Sequence, residues 1–287
     1  MLAIFKREFK SYMRTMTGPI FILFLLLFTG VCVTIFNLLL QYSSFSYAIE
    51  YTSIAFLIII PIITMRSLSE DKTNKTDYLL FSLPIKTSDI VLGKFFAIVA
   101  VFSIPMIVML FYPFVLSAYG YMYYGAGYSA MFALYLLGLA LIAICMFISS
   151  FTESQVISAV VSLGTLIFLW VLPMLITILP SSALVSFICI IICEGLIALL
   201  IWLLTKNPNV AMIAACILVI PTCAIYFFKS ALFKNLFPTI LEKISLYSRF
   251  NALNSGYFDV KDIVYLLSVT VFFLFLCVQS LEKRRLN

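Results

Sequence analysis

The chain has 287 residues, 64% of them hydrophobic and 10% charged, with no histidine and a mean hydropathy of +1.17. A water-soluble core of this length cannot hide so much apolar side chain, so the composition excludes a soluble domain and predicts an integral membrane protein. The formal charge of +6 sits between apolar runs, which argues against nucleic acid as a partner and for a lipid bilayer.

The first 18 residues are basic and amphipathic. Leu2, Phe5, Phe9, Tyr12 and Met13 fall on one face at helical spacing and Lys6, Lys10 and Arg14 on another. That pattern predicts an interfacial helix over Leu2 to Met16; a plain basic flank orienting the first span is the alternative. The apolar run that follows is too long for a signal peptide, and no small-x-small cleavage site succeeds it. Spans of roughly 20 residues then recur, each long enough to cross about 30 Å of hydrocarbon as a helix. They are Ile20 to Leu40, Ile49 to Met65, Phe95 to Val115, Ala130 to Ser150, Val156 to Leu179, Leu184 to Leu204, Val210 to Phe228 and Ile263 to Leu281. The expectation is therefore a single all-α, polytopic domain over residues 1–287 with about eight transmembrane helices.

The basic residues set an orientation. Lys6 to Arg14, the group from Arg66 to Lys94, Lys206 and Lys283 to Arg285 share one side if the spans are even in number, and the positive-inside rule makes that side the cytoplasm. Lys229, Lys234, Lys243, Arg249 and Lys261 run against the rule in a longer outer loop, 229–261.

Enzymatic chemistry has few materials here. Without histidine the commonest general base, Ser-His-Asp catalysis and the HExxH zinc pattern all disappear. Gly93-Lys94 lacks the glycine and hydroxyl residues of a phosphate-binding loop, so no ATP site is expected in the chain. Cys189 and Cys193 are spaced i, i+4 but have no third soft ligand nearby, and no metal is expected. Glu194 is the exception in polarity: a carboxyl near the middle of an apolar span costs several kcal/mol unless neutral or paired. It reads either as a protonated side chain bonded to a neighbouring helix or as part of a translocation path or subunit contact.

The polar island between the second and third spans carries the strongest motif. It contains Thr64-Met65-Arg66-Ser67, the acidic pair Glu70 and Asp71, Thr76, Asp77, Leu79 and Leu80, Leu83-Pro84, and Leu92-Gly93-Lys94-Phe95. In this register the segment resembles the signature of ABC type-2 exporter permeases, in particular the gliding-motility branch. The family's glycine is replaced here by Lys75 and its glutamate before the leucines by Tyr78. A second stretch, Phe147 to Val161, resembles the family's turn between its fourth and fifth spans, with Thr152 and Gln155 at capping-box spacing and Glu153 between them. A third, Ser245 to Ser268, resembles the family's entry to its last span.

The resemblance implies a membrane-spanning permease subunit in a bacterial plasma (inner) membrane with a six-helix core; the extra pair of spans over 182–228 is a departure from the resembling branch. It implies a separate ATP-binding subunit that holds ATP and Mg, a second permease copy or paralogue, and a large auxiliary membrane subunit. Residues 66–94 would be the coupling segment, contacting the ATPase through Arg66, Glu70, Asp71, Thr76, Asp77, Leu79, Leu80 and Pro84, with Thr152, Glu153 and Gln155 a second turn on the same side. On physical grounds Leu79, Leu80 and Phe81 suit a short amphipathic helix broken by Pro84, and Ser88 or Asp89 suits the cap of the next helix. The rival readings are an ATP-independent transporter or channel, a membrane-embedded enzyme, and a non-transporting envelope subunit on the same scaffold.

Overall fold

In the computed structural model, residues 1–75, 86–120, 123–178, 182–205, 212, 217–219, 221–223, 226, 230–256 and 259–286 are described. They form helices and connecting turns, with no strand among them. In chain order the helices are α1 (Leu2–Arg14), α2 (Thr17–Val33), α3 (Ser46–Thr73), α4 (Thr87–Met109), α5 (Tyr112–Ser117), α6 (Tyr124–Phe151), α7 (Gln155–Ile178), α8 (Ala183–Thr205), α9 (Leu236–Ile244), α10 (Leu246–Asn254) and α11 (Val260–Leu286). A π-helical turn, Thr34–Leu39, extends α2.

Among the described residues, six helical stretches are long and apolar enough to cross a membrane: Thr17–Leu39, Ser46–Thr73, Thr87–Ser117, Tyr124–Phe151, Gln155–Ile178 and Val260–Arg285. The protein is a multi-pass membrane protein with an all-α fold. The sixth expected span, Leu184 to Leu204, falls on α8, a further apolar helix that is not one of these six. Of the expected span Val210 to Phe228, residues 212, 217–219, 221–223 and 226 are helical and the others lie outside the described residues.

The chain divides into two compact units, Met1–Leu169 with Arg249–Asn287, and Trp170–Ser248. In the first, α6 is the central helix, packed by α3 on one side and α11 on another, while α4 packs against α1, α2, α6 and α11. Small residues allow that crowding: Ala130, Ala133, Ala140 and Ala143 of α6 are fully or almost fully buried. Gly138 has the sharpest requirement, because a Cβ there would lie 2.3 Å from Cζ of Phe102. The Phe102 ring enters that gap and stacks on Tyr135 at 5.6 Å, with Phe56 edge-on at 5.5 Å. Offset and edge-to-face aromatic pairs of this kind add stabilisation beyond the area they bury.

The start of α11 holds a partly buried ion pair. Arg249 Nη1 lies 2.6 Å from Asp262 Oδ1, and its guanidinium sits 5.7 Å over the ring of Tyr265. One of the cations that ran against the charge rule is thus neutralised within the chain. In the second unit, Phe187 stacks on Tyr226 at 4.1 Å and meets Phe233 edge-on at 5.8 Å.

The N-terminal helix forms as expected but turns differently. Tyr12, expected on the lipid-facing side, is 5% exposed, and its hydroxyl donates to the carbonyl of Ile63 at 3.3 Å. Burial, with Glu8 adding to the effect, pushes the Tyr12 phenol well above its ordinary range, so it stays a protonated donor.

Gly138→Leu should drive the new side chain into Phe102 and lower stability by about 1–3 kcal/mol, the usual cost of overpacking. Thermal unfolding of detergent-purified protein checks this; an unchanged midpoint would show that the Phe102 gap is not a tight fit.

Candidate functional site

The polar island begins inside a helix. The span expected to end at Met65 continues without a break to Thr73, and Asn74 and Lys75 close it through N–H bonds to Glu70 and Lys72 carbonyls at 3.0 and 3.1 Å. Lys75 adopts φ +55°, the left-handed conformation that terminates many helices. This is the position at which the resembling family carries glycine, the residue with no steric penalty there. Lysine pays that penalty, so Lys75→Gly should raise stability by about 1 kcal/mol. A fall in the unfolding midpoint would contradict this reading of the cap.

The charges of the helix end are engaged within the chain. Arg66 and Glu70 form a two-pronged pair one helical turn apart, both contacts at 3.0 Å, and Arg66 also reaches the Thr17 hydroxyl at 3.4 Å. Asp71 Oδ2 lies 2.6 Å from Lys94 Nζ, whose side chain is only 3% exposed. The same ammonium lies 3.4 Å from Glu8 of α1 and donates to the Ser67 carbonyl at 2.5 Å. Glu8 is shared with Arg7 at 2.7 Å. Three helices, α1, α3 and α4, are therefore clamped on one lysine.

Close approach of α1 to α4 is made possible by Gly93. A Cβ at that position would meet Cβ and Cγ2 of Ile4, each at 3.1 Å, and Ile4 packs beside Ile90 one turn away.

A second set of bonds ties the α3 end to the C-terminus of α6. Lys72, also buried, donates from Nζ to the Ser150 carbonyl. This places a cation on an otherwise unpaired carbonyl of the last helical turn, where the helix dipole favours positive charge. The N–H of Ser69 donates to Ser149 Oγ at 3.2 Å, and the Thr73 hydroxyl donates to the Glu153 carbonyl at 2.5 Å.

The last helix closes the layer. Ser280 and Ser150 share a hydroxyl bond of 3.0 Å, Arg284 lies 3.2 Å from Glu153, and Thr87 Oγ1 donates to Glu282 at 2.8 Å. That carboxylate stands in the first turn of α4, where negative charge suits the exposed N–H groups. The expected cap by Ser88 or Asp89 is not formed. Lys86 occupies the N-cap position without a side-chain bond, and Asp89 lies in the first turn.

The second turn also differs from expectation. Thr152 terminates α6 in extended backbone, its hydroxyl has no partner, and α7 starts only at Gln155. The capping box therefore does not exist. Two non-helical residues, Glu153 and Ser154, intervene, so Thr152 is too far from the new helix start to cap it. Glu153 instead bridges to α11 through Arg284.

Of the other island residues, Thr76, Asp77, Leu79, Leu80 and Pro84 lie outside the described residues. Glu194 belongs to the second unit. It is 8% exposed, and Thr222 donates to its Oε2 at 3.1 Å. Lys72, Lys94, Glu8, Thr87 and Glu282 complete the layer and were not singled out as site residues from the sequence. The signal available for Lys94 was its place beside Gly93 at the mouth of an apolar helix. Its partners, 23 and 86 residues away in sequence, gave none.

Removing Lys94 leaves two carboxylates facing each other in a half-buried site. Lys94→Met should cost about 3 kcal/mol, whereas Asp71→Asn should cost about 1 kcal/mol because Glu8 and the Ser67 carbonyl still hold the ammonium. The unfolding midpoints of the two variants test the order; equal losses would remove Lys94 from its central role.

The family model for ABC-2 family transporter proteins matches residues 2–286. The chain belongs to this family, and it is a membrane permease component of an ABC transporter. No match was found among curated proteins or among solved structures.

Proposed function

We propose that this ABC-2 family member is the membrane-spanning subunit of an export-type ABC transporter whose ATP binding and hydrolysis reside in a separate subunit. In that reading ATP and its magnesium belong wholly to the partner. A second copy of the chain, or a paralogue, completes the permease, and substrate passes between the two. The setting is a bacterial inner membrane, and a large auxiliary membrane subunit is a further partner carried over from the resemblance.

One observation carries the reading. The ten residues 76–85 are bounded on both sides by helix ends fixed to the bundle, Asp71 and Lys72 before them and Thr87 and Lys94 after them. A push on this segment by a partner passes into α3 and α4 together, and from Lys72 into α6. Mechanical coupling needs this arrangement, because a freely hinged loop absorbs displacement without transmitting it.

The intrachain pairs change how docking is tested. Glu70 and Asp71 are occupied by Arg66 and Lys94, so reversing them disturbs the fold as well as any partner surface. Leu79→Glu with Leu80→Glu addresses the segment directly and should abolish co-purification of the ATP-binding subunit, while Lys261→Glu, in the outer region, should leave it intact. The double exchange Arg66→Glu with Glu70→Arg keeps the i, i+4 pair, worth about 0.5 kcal/mol, but inverts its polarity. Restored stability with lost ATPase association would assign these charges to docking. Full association in both the Leu79/Leu80 variant and the exchange would refute the coupling assignment.

A further inference from the structure

The surface helix α1 is divided into three sectors rather than two. At about 100° per residue, Ile4, Glu8 and Tyr12 form one sector, and each is held by protein: Ile4 against Gly93, Glu8 on Lys94 and Tyr12 on the Ile63 carbonyl. Leu2, Phe5, Phe9 and Met13 form the next. Leu2 is 76% exposed, Phe5 and Phe9 are partly exposed, and the latter two rings stack at 6.0 Å. Met16, just past the helix and 76% exposed, continues this apolar line to Ile20 on the first membrane span, itself 59% exposed. Lys6, Lys10 and Arg14 form the third sector, all exposed.

The charges are segregated by sign. Glu8 is the only acidic residue of α1, and it is turned into the protein. Among the described residues, Lys6, Lys10 and Arg14 form no ion pair. A basic sector beside an apolar one, continuous with the lipid-facing side of a span, complements a headgroup layer of negative charge above acyl chains.

We propose that α1 docks on an anionic lipid leaflet, with Leu2, Phe5, Phe9, Met13 and Met16 in the acyl boundary and Lys6, Lys10 and Arg14 on lipid phosphates. This goes beyond a role in orienting the first span, because it assigns a lipid class to a particular face. It does not depend on an ATP-binding partner.

The test uses the full chain in detergent, titrated with phosphatidylglycerol or phosphatidylcholine, with bound lipid counted by native mass spectrometry. The chain should prefer phosphatidylglycerol, and each of Lys6→Gln, Lys10→Gln and Arg14→Gln should reduce the preference by up to about fivefold. Lys261→Gln should leave it unchanged. The unmodified chain gives an answer that no folding defect can obscure: its preference should fall as salt is raised and the Debye length shortens from about 10 Å at 0.1 M to about 3 Å at 1 M. Soluble glycerol phosphate should not compete, since it has no chain for the apolar sector. Equal occupancy by the two lipids, a preference insensitive to salt, or one retained in the triple variant would overturn the assignment.

Discussion

A single ammonium group organises the polar end of this membrane protein. Lys94 is almost completely withdrawn from solvent, and an unpaired cation in such a place would cost several kcal/mol. Asp71 from α3 and Glu8 from α1 approach it, and Ser67 lends a carbonyl. Arg7, bonded to Glu8, brings the formal charge of the cluster to zero. Because the penalty for parting the members is large, the positions of α1, α3 and α4 at this end are not independent. Such a pair adds little net stability over an apolar substitute, but removing one member is expensive, which favours one register over its alternatives.

Beneath this layer the fold is set by shape. The bilayer supplies no hydrophobic drive between helices, so close contact depends on small residues that let backbones and rings interlock. Gly138 against Phe102 and Gly93 against Ile4 are two such contacts, and they lie on the central helix α6 and on the clamped helix α4. The last residues of α6 then meet the polar layer through Ser149 and Ser150. Packing at membrane depth and ion pairing at the helix ends therefore act on the same few helices, and a movement of α3 cannot be confined to one level.

Much of the architecture was legible because hydropathy reports span length directly. The membrane helices, the N-terminal helix and the position of the polar island follow from runs and periodicities within about 25 residues. What failed did so at the ends of elements and in partner choice. The run of charge after Met65 signals exit from hydrocarbon, but it does not signal the end of the helix: Arg66, Glu70 and Lys72 are good helix formers and α3 simply continues. Tyr12 shares a helical face with Phe9 and Met13 by spacing, yet its hydroxyl finds the Ile63 carbonyl and turns inward. The ion pair of Asp71 with Lys94 was not legible either, because only neighbours in sequence were visible and Lys94 is brought there by tertiary packing. Thr152 and Gln155 have the spacing of a cap, but the chain leaves α6 in extended backbone, and spacing has meaning only within one helix end.

The clamped flanks also bear on how tightly a partner can be held. A surface segment that is ordered only on binding gives up conformational entropy at that moment, on the order of 1–2 kcal/mol for each backbone residue fixed. Residues 66–75 and 86–94 have already met that cost within the fold, through Lys72, Lys94 and the Glu282 bond to Thr87. On the proposed reading these flanks add nothing to the cost of docking, and both are held to a defined bundle. The same pinning works in reverse. On that reading, displacing the end of α3 strains bonds that run to α1, α4, α6 and α11, so binding energy at the surface becomes work on the membrane helices.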